Sequence, residues 1–257
     1  MGPVIAFIFG LIIGSFLNVC IHRIPRSESI FFPPSHCPRC STRITWKDNV
    51  PVWSFLFLRG RCRVCGEKIS LRYPLVELIT AFLSLALFLT TSGRGEYIIY
   101  FVFVASLIAV AFIDLEHRII PNRISIPGIP LGFLASFFLP RITWQDSLLG
   151  ILFGGGIIYL VIVAYYLFTR REGMGGGDLK LLAMIGAFLG WQGAIFSLVA
   201  GALAGSILGI ALMLAKGWGR RAQIPFGPFL SLGAAGFLLG GERLVDWYLL
   251  ILKQGGY

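Results

Sequence analysis

Residues 173–190 read GMGGGDLKLLAMIGAFLG: clustered glycines, then Asp178 and Lys180 at the head of an apolar run. The run is helical in character but too apolar for the surface of a soluble protein, and it carries a carboxylate at its entrance. The same character extends in both directions along the chain. Stretches of the length needed to cross a bilayer core fall at 3–21, 74–91, 97–115, 124–140, 147–169, 178–191, 194–215 and 225–240. Only 13% of the 257 residues are charged, against roughly 25% in an ordinary soluble domain, and 56% are hydrophobic, with a mean hydropathy of +0.82. A soluble multi-domain enzyme is excluded, and a single N-terminal signal peptide does not account for runs along the whole length. The expected fold class is an all-α polytopic membrane protein of about eight transmembrane helices.

One long polar stretch interrupts the pattern, at 22–73 between the first two spans. It divides the chain into a first helix at 1–21, a polar segment at 22–73 and a transmembrane core at 74–257. The tail from Gly241 contains LVDWYLLIL, which either extends the last span or lies along the interface.

Orientation follows from Lys and Arg. The polar stretch holds Arg23, Arg26, Arg39, Arg43, Lys47, Arg59, Arg61, Arg63, Lys68 and Arg72 against Glu28, Asp48 and Glu67, which puts it in the cytoplasm. With eight spans and the N-terminus outside, Arg118, Arg123, Arg170, Arg171, Lys180, Lys216, Arg220 and Arg221 fall on the same side. Arg94, Arg141, Arg243 and Lys253 remain outside. The formal net charge of +10 therefore reflects topology and contact with anionic headgroups. No nucleic-acid reader module accompanies it.

Four of the five cysteines, Cys37, Cys40, Cys62 and Cys65, form C-x2-C pairs (CPRC and CRVC) in the cytoplasmic stretch. In a reducing compartment this spacing favours one tetrahedral zinc site over two disulfides or redox-active pairs. Four thiolates leave no open position for water, so the metal's role is structural. Cys20, alone at the end of the first span, reads as a small packing residue.

Carboxylates inside membrane segments are costly and mark function by default. Two are well placed. Asp178 heads the sixth span and Asp114 ends the third, in VAFIDLEHRIIPN. Tyr97 to Asp114 rises about 26 Å and Asp178 to Trp191 about 20 Å, so both carboxylates are expected slightly below the inner surface. Held close, two carboxylates share one proton. The charged one can take a proton from water while the neutral one polarises a peptide carbonyl, which is peptide hydrolysis without a covalent intermediate. Gly175, Gly176 and Gly177 fit this chemistry, because bare backbone can approach an extended substrate and adopt positive φ. The bland alternatives are an N-cap role for Asp178 and an interfacial charge cluster of Asp114 with Glu116, His117 and Arg118.

The chain resembles the type IV prepilin peptidases, bacterial inner-membrane aspartyl proteases of the GxGD class. These are related in motif to the archaeal preflagellin peptidases and, more distantly, to presenilin. The resemblance is carried by GSFLNVCIHRIP at 14–25, SHCPRC at 35–40, CRVCGEKIS at 62–70 and RYPLVELIT at 72–80. It continues through IDLEHRIIPN at 113–122, GMGGGDLKLLAMIGAFLGW at 173–191 and PFGPFLSLGA at 225–234. It implies catalytic aspartates at Asp114 and Asp178, the GxGD motif at Gly175–Asp178, and zinc on Cys37, Cys40, Cys62 and Cys65. It also implies cleavage of the short basic leader of prepilins or pseudopilins after a glycine. Many members then methylate the new N-terminus with S-adenosylmethionine. Asn122 departs from the family, which commonly has aspartate after that proline. Near the dyad, Asp114, Glu116, Glu172 and Asp178 supply the negative charge a basic leader needs on an otherwise basic face.

Among the remaining polar residues, Glu77 in the first turn of the second span suits the helix N-terminus, a contact with the zinc segment, or help with a methyl donor. Asn18 suits an interhelical hydrogen bond. Lys180 lies on a different helical face from Asp178, where it snorkels to headgroups or tunes the dyad. His22, His36 and His117 have no metal-binding spacing. No strand followed by G-x-G-x-x-G is present to cradle a nucleoside. The competing function classes are a transporter with midplane carboxylates and a non-catalytic zinc-binding membrane scaffold.

Overall fold

The structure is a computed structural model that describes residues 2–169, 175–216, 224–241 and 245. It is helical, with no strand among the described residues beyond two isolated bridges. The elements are α1 (Pro3–Arg23), a 3-10 turn (Trp46–Asn49), α2 (Trp53–Phe57), α3 (Arg72–Thr90) and α4 (Arg94–His117). They continue with α5 (Asn122–Ala135), α6 (Trp144–Thr169), α7 (Gly176–Lys216) and α8 (Gly227–Gly236), which runs on as a π turn (Phe237–Gly241). Among the described residues, four helical stretches are long and apolar enough to cross a membrane: Pro3–Arg23, Arg72–Thr90, Arg94–His117 and Gly176–Ala215. Glu172, the tail beyond Gly241 apart from Val245, and the cations Arg170, Arg171, Arg220, Arg221, Arg243 and Lys253 lie outside the described residues.

The chain forms two compact units, Met1–Ala109 and Val110–Tyr257. In the first, α1 packs on α3 through a small-residue seam. A Cβ on Gly14 would stand 2.7 Å from the Glu77 Cα, and one on Gly10 would stand 2.8 Å from the Ser84 Cβ. Glycines four apart let the backbones meet this closely, the packing mode of helices in lipid. Polar side chains close the seam. The Ser84 hydroxyl donates to Ala6 O at 2.6 Å and lies 2.8 Å from the Tyr97 hydroxyl, while Asn18 Nδ2 donates to Tyr73 O at 3.0 Å. At the end of α1 the buried Arg23 guanidinium donates to Ser29 O at 2.8 Å and Pro33 O at 2.6 Å. The other face of α1 exposes Val4, Ile5, Ile8, Ile12 and Phe16, an apolar patch that lipid, not water, suits.

In the second unit α7 is the central helix, met by α5, α6 and α8 through glycine contacts. A Cβ on Gly154 of α6 would lie 2.6 Å from Leu182 O, and one on Gly233 of α8 would lie 2.8 Å from Ser197 O. The Ser147 hydroxyl on α6 donates to Ala187 O at 2.7 Å. A capping box starts α6: the Thr143 amide donates to Asp146 Oδ2 at 3.1 Å, and the Asp146 amide donates to the Thr143 hydroxyl at 3.2 Å.

The sequence separates spans at 178–191 and 194–215, whereas here they form one element broken at Gly190. Its φ of 71° and ψ of −179° are open to glycine and strained for other residues. The fourth and eighth expected spans are shorter than their apolar runs suggest. α5 has 14 residues with Pro127 and Pro130 inside it, and α8 with its π turn covers Gly227–Gly241. At 1.5 Å per residue each rises about 21 Å, short of a core of about 30 Å.

Candidate active site and metal centre

Asp114 lies one turn before the end of α4. Arg118 ends that helix in the left-handed region, at φ 55°, with its amide bonded to Asp114 O at 2.8 Å, and extended backbone at Pro121 then starts α5. The Asp114 side chain is buried, at 5% exposure. Its Oδ2 accepts a hydrogen bond from the Gly227 amide at 2.9 Å. Gly227 is the first residue of α8, so its N–H is one of the donors a helix start leaves without an intrahelical partner. A Cβ there would stand 2.8 Å from the same carboxylate oxygen. The neighbouring Glu116 and His117 side chains approach each other at 4.0 Å and are more than three-tenths exposed. Asp114 is buried apart from that surface pair.

Asp178 is the third residue of α7, inside the first turn and beyond the N-cap position, with its amide 3.2 Å from Gly175 O. Its carboxyl is near enough to Asp114 for the charge of one to be felt at the other. Two carboxylates 64 positions apart in the sequence and on different helices thus lie within electrostatic reach of each other.

The glycines before Asp178 differ from the sequence expectation in one respect. None of Gly175, Gly176 and Gly177 has positive φ. What distinguishes Gly177 is space: a Cβ there would lie 2.9 Å from the Ile120 Cβ, whereas Gly176 has nothing within 4 Å and Gly175 meets Asp178 Oδ2 at 3.9 Å and Gly177 N at 4.0 Å. The motif keeps the start of α7 against the α4–α5 connection and leaves bare backbone beside the carboxylate. Lys180 Nζ donates to Asn122 Oδ1 at 2.9 Å, joining α7 to the start of α5.

In the first unit, the sulfurs of Cys37, Cys40, Cys62 and Cys65 all lie within 4.8 Å of one another, with Cys37 Sγ 3.8 Å from Cys65 Sγ. A tetrahedron of thiolates at the usual zinc–sulfur distance has edges of about 3.8 Å, so the cluster fits a four-sulfur metal site. No disulfide joins these cysteines. Two turns of the same backbone design build the cluster. In the first, Ser41 N bonds Cys37 O, Cys37 N bonds Thr42 O, Ile44 N bonds Ser35 O and His36 bridges Arg43. In the second, Gly66 N bonds Cys62 O, Cys62 N bonds Glu67 O, Ile69 N bonds Gly60 O and Arg61 bridges Lys68. The residue after each pair turns left-handed, Ser41 at φ 55° and Gly66 at φ 71°. Every bond of one turn thus recurs 25 residues later in the other.

Backbone and side-chain donors act on the sulfurs unequally. Cys40 is held down to about 6 by the Thr42 hydroxyl and amide, and Cys62 is lowered by the amides of Cys65 and Val64. Cys65 accepts from the Glu67 amide yet is pushed up to about 11 by desolvation and the three neighbouring sulfurs. Four sulfurs this close could hold a metal ion. Ion pairs brace the segment: Arg39 with Glu67, and Arg63 with Asp48 at 2.6 Å.

Glu77 is buried, and its Oε2 accepts the Val52 amide at 2.8 Å. It therefore ties the polar segment to α3. Cys20 is buried in α1.

Comparison with known proteins agrees with these features. Residues 8–91 match the family model of the bacterial peptidase A24 N-terminal domain, and residues 101–210 match that of the type IV leader peptidase family. A protein of Aeromonas hydrophila named prepilin leader peptidase/N-methyltransferase is 38% identical over 269 residues, 95% of this chain and 93% of that protein. Proteins of the same name from Myxococcus xanthus and Pseudomonas aeruginosa are 40% and 34% identical, covering 84% and 94% of this chain and 65% and 91% of their own lengths. The chain belongs to the type IV leader peptidase family. No solved structure matches it.

Both carboxylates fall within the stretch matched to the leader peptidase family, and all four clustered cysteines within the N-terminal match. Gly227 lies beyond both. Reading the sequence by titratable residues passes over it, because its contribution is a backbone amide. The signal available was a glycine between two aromatic–proline pairs at a helix start, in IPFGPF.

Proposed function

We propose that the protein is a membrane aspartyl endopeptidase that removes the short basic leader of prepilins or pseudopilins and N-methylates the new terminus, with Asp114 and Asp178 as its catalytic pair. The observation that carries this reading is that one oxygen of the buried Asp114 is held by the Gly227 amide at 2.9 Å, while Asp178 on another helix lies within reach of its charge. A scaffold has no use for two like-charged groups brought together at a helix end, where their repulsion is a cost.

In this reading the amide on Oδ2 leaves the other Asp114 oxygen to take a proton from water. The water oxygen attacks the carbonyl carbon of the leader's last residue, the glycine. Asp178, carrying the shared proton, donates it to the carbonyl oxygen as the tetrahedral intermediate forms. Collapse breaks the C–N bond: the proton held on Asp114 passes to the leaving amine, and one hydroxyl proton of the intermediate returns to Asp178 as the carboxyl product forms. The bare backbone of Gly175 and Gly176 lies beside Asp178, where an extended peptide needs room.

Residues 74–257 form the catalytic core in this reading, crossing the bacterial inner membrane in eight spans with 1–21 and with the N-terminus periplasmic. Segment 22–73 is a cytoplasmic zinc module held by Cys37, Cys40, Cys62 and Cys65. Zinc there supplies folding free energy to a short segment with little core of its own. The methyl donor by resemblance is S-adenosylmethionine. No strand-to-helix glycine loop that could cradle a nucleoside occurs among the described residues.

The test is incubation of the purified protein in lipid with a prepilin and labelled S-adenosylmethionine. Mass spectrometry should find the leader released after a glycine and one methyl group on the new N-terminus. An intact prepilin would overturn the protease reading, and cleavage without label would overturn the methyltransferase part alone.

A further inference from the structure

We infer that α2 is an interfacial anchor, a short apolar wedge that seats the cysteine segment in a bilayer surface rich in anionic headgroups. This rests on the membrane reading of α1 and α3 and is independent of any cleavage activity.

The first observation is depth. The Val52 amide at the start of α2 is bonded to Glu77 Oε2 at 2.8 Å. Glu77 lies five residues inside the polar end of α3, about 7 Å along its axis. Its Cα packs against Gly14 of α1, nine residues before the end of that helix at Arg23, about 13 Å in. The tether therefore draws α2 alongside two spanning helices, below the level where both reach their polar ends. Val52 takes φ 62° and ψ −49° to make this bond, a conformation that is an outlier for a β-branched residue. Such strain persists only where surrounding structure holds it.

The second observation is the face α2 presents. Phe55 turns inward onto Gly60, where a Cβ would meet its ring at 3.0 Å. Trp53, Leu56 and Phe57 occupy positions i, i+3 and i+4, one helical face, and are 70%, 61% and 85% exposed. Three large apolar side chains left open on a five-residue helix have no partner within their unit. Tryptophan and phenylalanine with an apolar neighbour are the residues that settle at a membrane–water boundary.

The third observation is charge. Lys47, Arg59 and Arg61 flank α2 and are exposed, with Lys47 Nζ 5.6 Å from the Trp46 ring centroid. Segment 22–73 holds ten cations against three acidic residues. Such a surface attracts anionic lipid. It repels a basic leader peptide and equally a second copy of itself, which leaves the bilayer as the occupant that charge favours.

The experiment uses the full chain, labelled with fluorotryptophan and reconstituted in nanodiscs of phosphatidylethanolamine and phosphatidylglycerol. With six tryptophans, the Trp53 fluorine resonance is assigned by its disappearance in Trp53→Phe. Where that variant fails to fold, a fluorinated phenylalanine inserted at position 57 gives the same reading. A nitroxide carried near the headgroup end of the lipid acyl chain is expected to broaden the resonance, and a water-soluble gadolinium chelate to leave it sharp. The lipid effect should fall several-fold in Arg59→Glu/Arg61→Glu and in discs of neutral lipid alone. Broadening by the aqueous chelate with none from the lipid nitroxide would overturn the proposal. Protection that arises only when a prepilin is added would also overturn it, and would assign the face to substrate. Equal lipid broadening in neutral and anionic discs would overturn the headgroup recognition.

Discussion

The amide of Gly227 donates to Asp114 Oδ2 at 2.9 Å, across 113 residues of sequence. It joins the end of α4 to the start of α8 and fixes one carboxylate of the candidate pair. Gly227→Ala puts a methyl group 2.8 Å from that oxygen, so the carboxylate has to move. Misplacement of a catalytic group by about 1 Å costs about 100-fold in rate. Steady-state cleavage should show a fall of that order in kcat, with KM changed far less.

Gly177 meets Ile120 at 2.9 Å. Gly177→Ala overpacks this contact, at a cost of about 1–3 kcal/mol. Ile120→Ala in the same chain should restore most of the lost cleavage and thermal stability. The pair should couple by about 1 kcal/mol or more in a double-mutant cycle. Additive losses would mean that Gly177 acts on substrate and not on Ile120.

The sulfur cluster should hold one zinc per chain, measurable by elemental analysis. Cys37→Ser or Cys62→Ser should release it and raise protease sensitivity between residues 30 and 70. A chelator should do the same to the wild type. A protein with full metal content after loss of either cysteine would not bind zinc as described.

Glu77→Gln keeps the shape of the side chain but weakens the acceptor for Val52. A buried hydrogen bond to a charged group contributes about 1.5–3 kcal/mol. The Val52 amide should exchange with solvent about 10-fold faster or more in the variant, read by hydrogen-exchange mass spectrometry. Exchange elsewhere in α3 should be little changed.

What the sequence carried well were local properties. Apolar run length located α1, α3, α4 and α7, since the length needed to span a bilayer is written in consecutive residues. The two C-x2-C pairs marked the sulfur cluster, because a tetrahedral site needs ligands at that spacing. The recurrence of one backbone turn 25 residues after the other is invisible in the letters, since Ser41 and Gly66 fill the same left-handed position with different side chains. Gly190 was hidden for a related reason: an apolar run says nothing about where a helix breaks. The positive φ expected at Gly175–Gly177 gave way to a packing reason that only the neighbour Ile120 reveals. Gly227 is the strongest case, a long-range contact made by backbone alone.

The central claim is that Asp114 and Asp178 act as one catalytic pair. The most direct test is prepilin cleavage in lipid by wild type, Asp114→Asn and Asp178→Asn, each shown to be folded and to retain its metal. Loss of cleavage in both variants, by about 1,000-fold or more as expected for a unit acting in concert, is the predicted result. Cleavage retained in either folded variant would contradict it and return that aspartate to a structural role at its helix end.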